Sequence, residues 1–262
     1  MTAYGATSYQ GPNPIGGGNG YISRHGFSEA GARYVVGTAA ELRSALASAA
    51  SGQVIWIPDG VTITVSVADY AGMGTLKSGV VLASNRGQAG AAGGRLKNTA
   101  NAAVFMGPII NASSNSVISG LRFEGPGGMC GTGGPGNCAI RGVSGARRIE
   151  LENCEIGHFY TGGMYLYGGG MSWNDDGPNG RHWVHHCYIH HIQRWGFGYG
   201  ICQEGPCSYL AEACHFGPCR HAIMAQANST GMEVRYCEFE DGVYSPSTAQ
   251  HQVDSHGGGD TS

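Results

Sequence analysis

The chain has 262 residues with 41% hydrophobic content, which is enough for one domain with a sizeable core. The formal net charge is −3, so a basic nucleic-acid surface is not predicted, and no apolar run is long enough to predict a membrane span. Glycine contributes 47 residues without a Gly-X-Y period, which excludes collagen and indicates many tight turns.

Residues 1–35 are rich in Gly, Ser, Asn and Pro, and we predict an irregular segment that packs on the domain formed by residues 36–262. The first eight residues lack the charged and apolar regions of a signal peptide. The protein is therefore expected to be either cytosolic or a mature form from which a signal was removed.

Residues 36–50 predict an amphipathic helix. Thr38 is a good N-cap, Glu41 completes a capping box, and Leu42 and Leu46 share one face. Such a helix before the first coil of a solenoid would cover its open end. Strands are predicted next over residues 53–58, 61–65 and 80–84.

A short pattern recurs five times between Val117 and Glu240. In each copy an apolar residue is followed by a small residue and then by Phe or Ile, with spacings of 34, 33, 27 and 23 residues. A fixed motif with elastic spacing indicates a coil whose strands are constant and whose loops vary, and period-2 alternation makes each copy a strand. The small residues would stack in a parallel β-solenoid, the cysteines among them as buried thiols: Gly120, Cys154, Cys187, Cys214 and Cys237.

Each coil is predicted to carry another strand, and aligning Ile201, Ile223 and Val253 as core residues sets its register. Period 2 then turns Tyr199 and His221, with His251, toward the interior as a stack, for which a structural role is favoured. The predicted strands cover residues 139–143, 163–167, 199–203, 221–225 and 251–255.

Residues 38–58, followed by Val81-Leu-Ala-Ser-Asn-Arg-Gly87 and Val117-Ile-Ser-Gly-Leu-Arg-Phe123, resemble the start of the pectate-lyase-like right-handed parallel β-helix superfamily. The resemblance extends over about residues 36–260. It implies an all-β fold, a single-stranded right-handed parallel β-helix with an N-terminal capping α-helix. The superfamily includes lyases, hydrolases, esterases, tailspikes and adhesins, so the resemblance implies a fold rather than one activity. No stretch matches the catalytic signature of pectate lyases, and no catalytic residue is transferred.

The same alignment predicts a site on one exposed sheet face, where Arg220, Ala222 and Met224 point outward beside Asp254 and His256. Neighbouring strands lie about 4.8 Å apart, so these side chains converge. Arginine suits binding of a sugar carboxylate, and histidine suits proton transfer near neutral pH. A surface ion-pair network is the structural alternative. The predicted catalytic residues are Arg220, Asp254 and His256, and the predicted substrate-binding residues are Tyr165, Tyr167 and Gln252.

These features favour a secreted or cell-surface polysaccharide lyase that cleaves an acidic, uronate-containing glycan by β-elimination. A glycoside hydrolase ranks second, because it needs two facing carboxylates and outward carboxylates are sparse. The alternative from another class is a non-catalytic solenoid, such as a glycan-binding adhesin, a tailspike-like protein or a filament subunit.

No cofactor is predicted with certainty. Asp175 and Asp176, in the Gly-rich loop 168–180, could bind Ca²⁺ together with backbone carbonyls, but a solvated loop tip is the favoured interpretation. A run of histidines is a further metal candidate, but its members fall on both faces of a strand and turn, which disfavours a metal site. The run consists of His182, His185, His186, His190 and His191.

Cysteines outside the repeat flank Gly/Pro-rich turns. The pairs Cys130/Cys138 and Cys202/Cys207 could close these loops as disulfides, which would fit an oxidising compartment. A zinc site is the competing interpretation, disfavoured because the sequence has no Cys-x2-Cys pair.

The sequence stops at Ser262, soon after the last predicted strand, without a capping segment. An uncapped coil exposes strand edges. We therefore expect either a truncated chain or protomers that associate end to end.

Overall fold

The structure is a computed structural model that describes residues 9–66, 72–99, 107–127, 138–167, 180–193, 197–226, 231–240 and 251–256. Its strands form three parallel sheets, and each full coil contributes one strand to each sheet. Each strand pairs in parallel with the equivalent strand of the next coil, which makes a parallel β-helix.

The first sheet consists of β1 (Tyr34–Val35), β2 (Val54–Trp56), β5 (Val81–Ala83), β8 (Val117–Ser119), β11 (Glu150–Glu152), β14 (His182–His185), β17 (Ser208–Glu212) and β20 (Gly231–Arg235). The second sheet consists of β3 (Thr62–Val65), β6 (Arg95–Asn98), β9 (Arg122–Glu124), β12 (Glu155–Gly157), β15 (Tyr188–His190), β18 (His215–Phe216) and β21 (Glu238–Phe239). The third sheet consists of β4 (Thr75–Leu76), β7 (Ile110–Ala112), β10 (Cys138–Gly142), β13 (Gly162–Tyr167), β16 (Tyr199–Glu204), β19 (His221–Gln226) and β22 (His251–His256).

The helix α1 (Ala39–Ser48) begins as predicted. The Thr38 hydroxyl accepts a hydrogen bond from the Glu41 N–H, and the Glu41 carboxylate accepts one from the Thr38 N–H, which is a capping box. Leu42 and Leu46 are buried in the core, so the helix packs on the β-helix through the predicted face. Within the described residues, short 3₁₀ helices cover Glu29–Gly31 and Gln88–Gly90. Among the described residues, no helix has the length and apolar character needed to cross a membrane.

Each repeat copy is two strands rather than one. The chain leaves the first sheet, bends through one residue with positive φ and enters the second sheet. Gly120 (φ 65°), Asn153 (φ 50°) and His186 (φ 51°) occupy equivalent positions in successive coils. The residues that precede them, Ser119, Glu152 and His185, are in register. The prediction that aligned Gly120 with Cys154 is therefore wrong by one residue: Gly120 supplies the left-handed backbone of the bend, for which glycine carries no steric penalty.

The predicted cysteine column is confirmed. Cys154, Cys187 and Cys214 are fully buried free thiols that stack along the core, and the Cys154 N–H donates to the Cys187 Sγ at 3.4 Å. Cys237 continues the column and is partly exposed.

The predicted Cys202/Cys207 disulfide is wrong. The two thiols are not bonded to each other, and they face opposite sides of the β-helix wall: Cys202 packs in an outer cluster, whereas Cys207 packs in the core with its Sγ directed at the Leu166 carbonyl oxygen. Cys138 also carries a free thiol, and Cys130 lies outside the described residues.

The prediction that Tyr199 and His221 point inward is also wrong, because the alternation breaks within the third sheet. Consecutive residues Ala222 and Ile223 both pack in the core, so Ala222 does not face outward as predicted and His221 falls on the outer face. Tyr199 packs outside the core, in the cluster that contains Tyr165.

Residues of the N-terminal segment lie against the first sheet. The buried Glu152 carboxylate accepts hydrogen bonds from the Tyr21 hydroxyl at 2.9 Å and from the Arg24 N–H at 3.0 Å. The division of the chain at residue 35 and the end-to-end association both stay predictions.

Candidate functional site on the third sheet

The outer face of the third sheet carries a small apolar cluster that is separate from the core. Arg141, Tyr165, Cys202 and Met224 occupy one register column, and Asp254 continues it in β22. The column places a cation at one end and a carboxylate at the other, with apolar and aromatic side chains between them. We call this surface the third-sheet face.

Aromatic rings cover most of the third-sheet face. Tyr165 stacks on Tyr167 with ring centroids 6.4 Å apart and planes 20° apart, and it meets Tyr199 edge to face, also at 6.4 Å. Phe197, which is 43% exposed, lies edge to face with Tyr199 at 6.3 Å. The Arg141 guanidinium lies 5.6 Å from the Tyr167 ring centroid. Tyr165 and Tyr199 are buried, so Tyr167 and Phe197 are the rings of this group that a sugar can stack on.

An imidazole–carboxylate pair adjoins these rings. His221 stacks on Tyr199 with centroids 5.5 Å apart and planes 19° apart, and its Nδ1 lies 3.3 Å from Oδ2 of Asp254. The His221 side chain is 1% exposed, whereas that of Asp254 is 21% exposed. A ligand on the face therefore reaches the carboxylate first, with the imidazole behind it.

Arg220 lies next to Tyr199. Burial raises the pKa of the Tyr199 hydroxyl, and the Arg220 guanidinium opposes this rise through its charge and a hydrogen bond. Nε and Nη1 of Arg220 are buried and have no hydrogen-bond acceptor within the described part of the chain. Buried donors without acceptors cost about 1–3 kcal/mol each, so a carboxylate that accepts them gains binding energy.

Tyr167 and Glu204 form a second polar pair at the edge of the face. Burial, together with a hydrogen bond and the charge of Glu204, raises the pKa of the Tyr167 hydroxyl. The Tyr167 hydroxyl therefore stays protonated and donates a hydrogen bond to the Glu204 carboxylate.

The structure brings four of the six predicted site residues to one face: Tyr165, Tyr167, Arg220 and Asp254. Gln252 is directed elsewhere, because its amide donates to the Glu240 carbonyl oxygen at 2.6 Å. His256 pairs with Gln226 in the strand register, and its side chain lies outside the described residues. The predicted Ca²⁺ ligands Asp175 and Asp176 also lie outside them.

Sequence reasoning placed Tyr199 and His221 on the wrong side of the sheet and overlooked Arg141. One signal was present in the glycine pattern. An added Cβ at Gly163 would contact core residues Ile156 and Ile192, whereas one at Gly162 would meet the Tyr165 ring. A small residue recurs at the position of Gly163 in successive strands and marks the point where the alternation shifts: Ala139, Gly163, Gly200 and Ala222.

Comparison with known families supports the architecture. A family model described as "Right handed beta helix region" matches residues 107–253, which is more than half of the chain. No curated protein and no solved structure matches. The match establishes the right-handed coil.

Proposed function

The chain belongs to the right-handed β-helix family, and we propose that it binds an acidic glycan across the third-sheet face and cleaves it by β-elimination. The observation that carries this proposal is Arg220, whose Nε and Nη1 lack acceptors within the described part of the chain. A uronate carboxylate offers two acceptor oxygens in the geometry that arginine binds.

The aromatic side chains support a polymeric sugar ligand. The half-buried Tyr167 and the exposed Phe197 lie on one face, connected by the buried rings of Tyr165 and Tyr199, across two adjacent strands. Sugar rings stack on such surfaces through their apolar C–H faces. Because the face runs along the coil axis, successive sugars would meet successive strands.

The reaction assigns one task to each charged group. Arg220 binds the uronate carboxylate and stabilises the negative charge that develops when the adjacent C–H bond breaks. The Asp254 carboxylate accepts that proton, and His221, a positioning residue, fixes Asp254 from behind. The electron pair forms the carbon–carbon double bond, and the glycosidic bond breaks. The leaving oxygen takes a proton from His256, which follows Asp254 by two residues in β22.

Hydrolysis fits this face less well. The carboxylates of the described third sheet are Glu204 and Asp254, which belong to strands separated by one further strand. Two strand spacings amount to about 10 Å, which exceeds the roughly 5–9.5 Å between the carboxyl groups of glycosidases. The Glu204 carboxylate also accepts a hydrogen bond from the Tyr167 hydroxyl.

The direct test is absorbance at the unsaturated-uronate band while the purified protein meets pectate, alginate and glycosaminoglycans, each with Ca²⁺ and with a chelator. We expect absorbance to rise with one class of polymer, which would also support a location outside the cell. A flat trace from folded protein that still retains one of these polymers in affinity electrophoresis would replace the lyase with the glycan-binding solenoid.

A matched pair of variants tests the site. Arg220→Ala should lower kcat/KM by at least about 100-fold, the loss that follows removal of one charge-stabilising donor. Arg43→Ala, which removes an exposed arginine from α1, should leave the rate unchanged. Equal rates for the two variants would show that the third-sheet face is not the catalytic site.

A further inference from the structure

Three histidines meet at the corner where the chain leaves the second sheet for the third. His158 and His191 each follow a second-sheet strand of successive coils, and both have left-handed backbone, with φ of 65° and 51°. His190 is the last residue of β15, and its ring lies over Gly157, where an added Cβ would collide with the imidazole. The glycine thereby leaves room for the His190 ring against the sheet.

The imidazole nitrogens converge. One nitrogen from each of His158, His190 and His191 lies within 4.8 Å of the others. Nδ1 of His190 and Nδ1 of His191 are 2.8 Å apart, and the His158 ring centroid lies 5.0 Å from that of His191 and 5.3 Å from that of His190. A tetrahedral ion with metal–nitrogen bonds of about 2.0–2.1 Å holds its ligand nitrogens about 3.3 Å apart. Small side-chain rotations therefore bring the three nitrogens into coordinating positions.

The surroundings of His190 match those of a metal ligand. Its Nδ1 faces His191, while its Nε2 lies 3.5 Å from Oε1 of Glu155. Metal-bound histidines commonly direct the second ring nitrogen to a carboxylate, which fixes the tautomer and the ring orientation. Glu155 is in turn held by Arg86, whose Nε lies 3.5 Å from its Oε2.

The donor set defines the class of ion. Three neutral imidazoles without a carboxylate or thiolate favour Zn²⁺ and neighbouring late first-row ions over the oxygen-seeking Ca²⁺ and Mg²⁺. His158 and His190 border an open cleft on the second sheet, lined by residues that include Arg122, Glu124 and Glu155. A fourth coordination position would open to that cleft, as in three-histidine sites that retain a water.

We propose that His158, His190 and His191 form a binding site for one Zn²⁺-like ion, a site independent of the third-sheet face. It differs from the histidine run considered in the sequence, because His182 and His185 lie on the first sheet and His158 comes from the preceding coil.

The test uses untagged protein, treated with a chelator, dialysed and titrated with Co²⁺ and Zn²⁺. We expect one equivalent of Co²⁺ to give the intense visible bands of tetrahedral cobalt, and one equivalent of Zn²⁺ to displace it. His158→Asn and His191→Asn retain a residue type that tolerates left-handed backbone, and each should weaken binding at least 100-fold. His215→Asn removes a histidine from the next strand of the same sheet and should bind as the parent does.

The proposal is overturned if the parent gives no tetrahedral bands, or if His215→Asn weakens binding as much as His158→Asn. A circular dichroism spectrum for each variant separates loss of the site from loss of the fold. If an asparagine variant does not fold, Glu155→Gln replaces it, and loss of its carboxylate should weaken binding about 10–100-fold. An unchanged affinity in Glu155→Gln would contradict the proposed orientation of His190. The titration contains no glycan, so its failure and that of the lyase proposal are distinguishable.

Discussion

The Tyr21 hydroxyl donates a hydrogen bond of 2.9 Å to Oε1 of Glu152, which joins the N-terminal segment to the first sheet of the β-helix. Glu152 is fully buried, and the Ser119 hydroxyl donates to its other oxygen at 2.6 Å. A buried carboxylate is stable only when donors surround it. The N-terminal segment therefore supplies some of the hydrogen bonds that stabilise the buried Glu152 carboxylate.

Tyr21→Phe should accordingly lower the free energy of unfolding by about 1.5–3 kcal/mol, because it removes a donor from a buried carboxylate and leaves the ring in place. Urea denaturation measures the loss. Tyr34→Phe is the matched control, because it also removes a tyrosine hydroxyl and keeps the ring, which packs near the Arg33 guanidinium. Equal stability of the two variants would show that the Tyr21 hydrogen bond does not fix the segment.

Because of the Glu150 carboxylate, we expect the stability of the folded protein to fall at acid pH. Burial favours its neutral form, but hydrogen bonds from His185 and His25 outweigh burial and lower the pKa of Glu150 to about 2. A lowered folded-state pKa contributes stability that is present above the ordinary value of about 4.5 and is lost as the pH falls toward 2. The melting temperature of the parent should therefore fall across this window, and Glu150→Gln should show a smaller fall. An equally steep fall in the variant would assign the acid limb to other groups.

For His25 we expect the opposite pH dependence, in which the stability that it contributes is lost as the pH rises. Its Nε2 lies 2.8 Å from Oε1 of Glu150, and this hydrogen bond raises the pKa of His25 above 6.5 despite partial burial and the nearby Arg24. A raised folded-state pKa contributes stability that is complete below 6.5 and is lost as the pH rises through the folded value. The difference in melting temperature between the parent and His25→Gln should be largest below pH 6.5 and shrink above it. A difference that does not change with pH would contradict the ion pair.

Asn153 allows backbone strain to be separated from hydrogen bonding. Its Oδ1 accepts from the Gly18 N–H at 2.8 Å and from Nη1 of Arg86 at 3.0 Å, and its Nδ2 donates to the Arg86 carbonyl oxygen at 2.6 Å. Asn153→Gly keeps the left-handed backbone and should cost about 2–4 kcal/mol for the lost hydrogen bonds. Asn153→Ala should cost about 1 kcal/mol more, because alanine resists positive φ. Equal denaturation midpoints for both variants would show that the bend imposes no strain.

Sequence periodicity predicted the core well where one residue type repeats along the axis. Phe123, Ile156, Ile189 and Phe216 share one column, as the recurring Phe or Ile implied. Periodicity failed where the backbone departs from a straight strand. Ala222 and Ile223 both face the core, and counting by twos across that break moves His221 to the wrong side.

The three-histidine corner shows a second limit of sequence reasoning. His190 and His191 are adjacent in the chain, but His158 joins them from the preceding coil. Its spacing of 33 residues from His191 equals that between Asn153 and His186, two equivalent bend residues. The alignment of Cys154 with Cys187 has the same spacing, so it already placed His158 beside His191 and did not show that the rings converge with that of His190.

The four cysteines of the column are expected to differ in their reactivity toward alkylating agents. A hydrogen bond from the Cys214 thiol lowers the pKa of Cys237, which is partly exposed, whereas burial raises the pKa of Cys154, Cys187 and Cys214. The thiolate is the form that reacts with alkylating agents, and it must be reached by them. Among these four residues, Cys237 should therefore be alkylated first.

A short iodoacetamide pulse on folded protein, followed by mass spectrometry of the peptides, measures this order. Cys154, Cys187 and Cys214 should react at rates that rise only in denaturant, since the core must open before the reagent reaches them. Labelling of Cys187 as fast as that of Cys237 would contradict the packed column. A peptide that joins Cys202 to Cys207 would contradict their placement on opposite sides of the wall, because the two thiols can bond only if that segment of the coil unfolds.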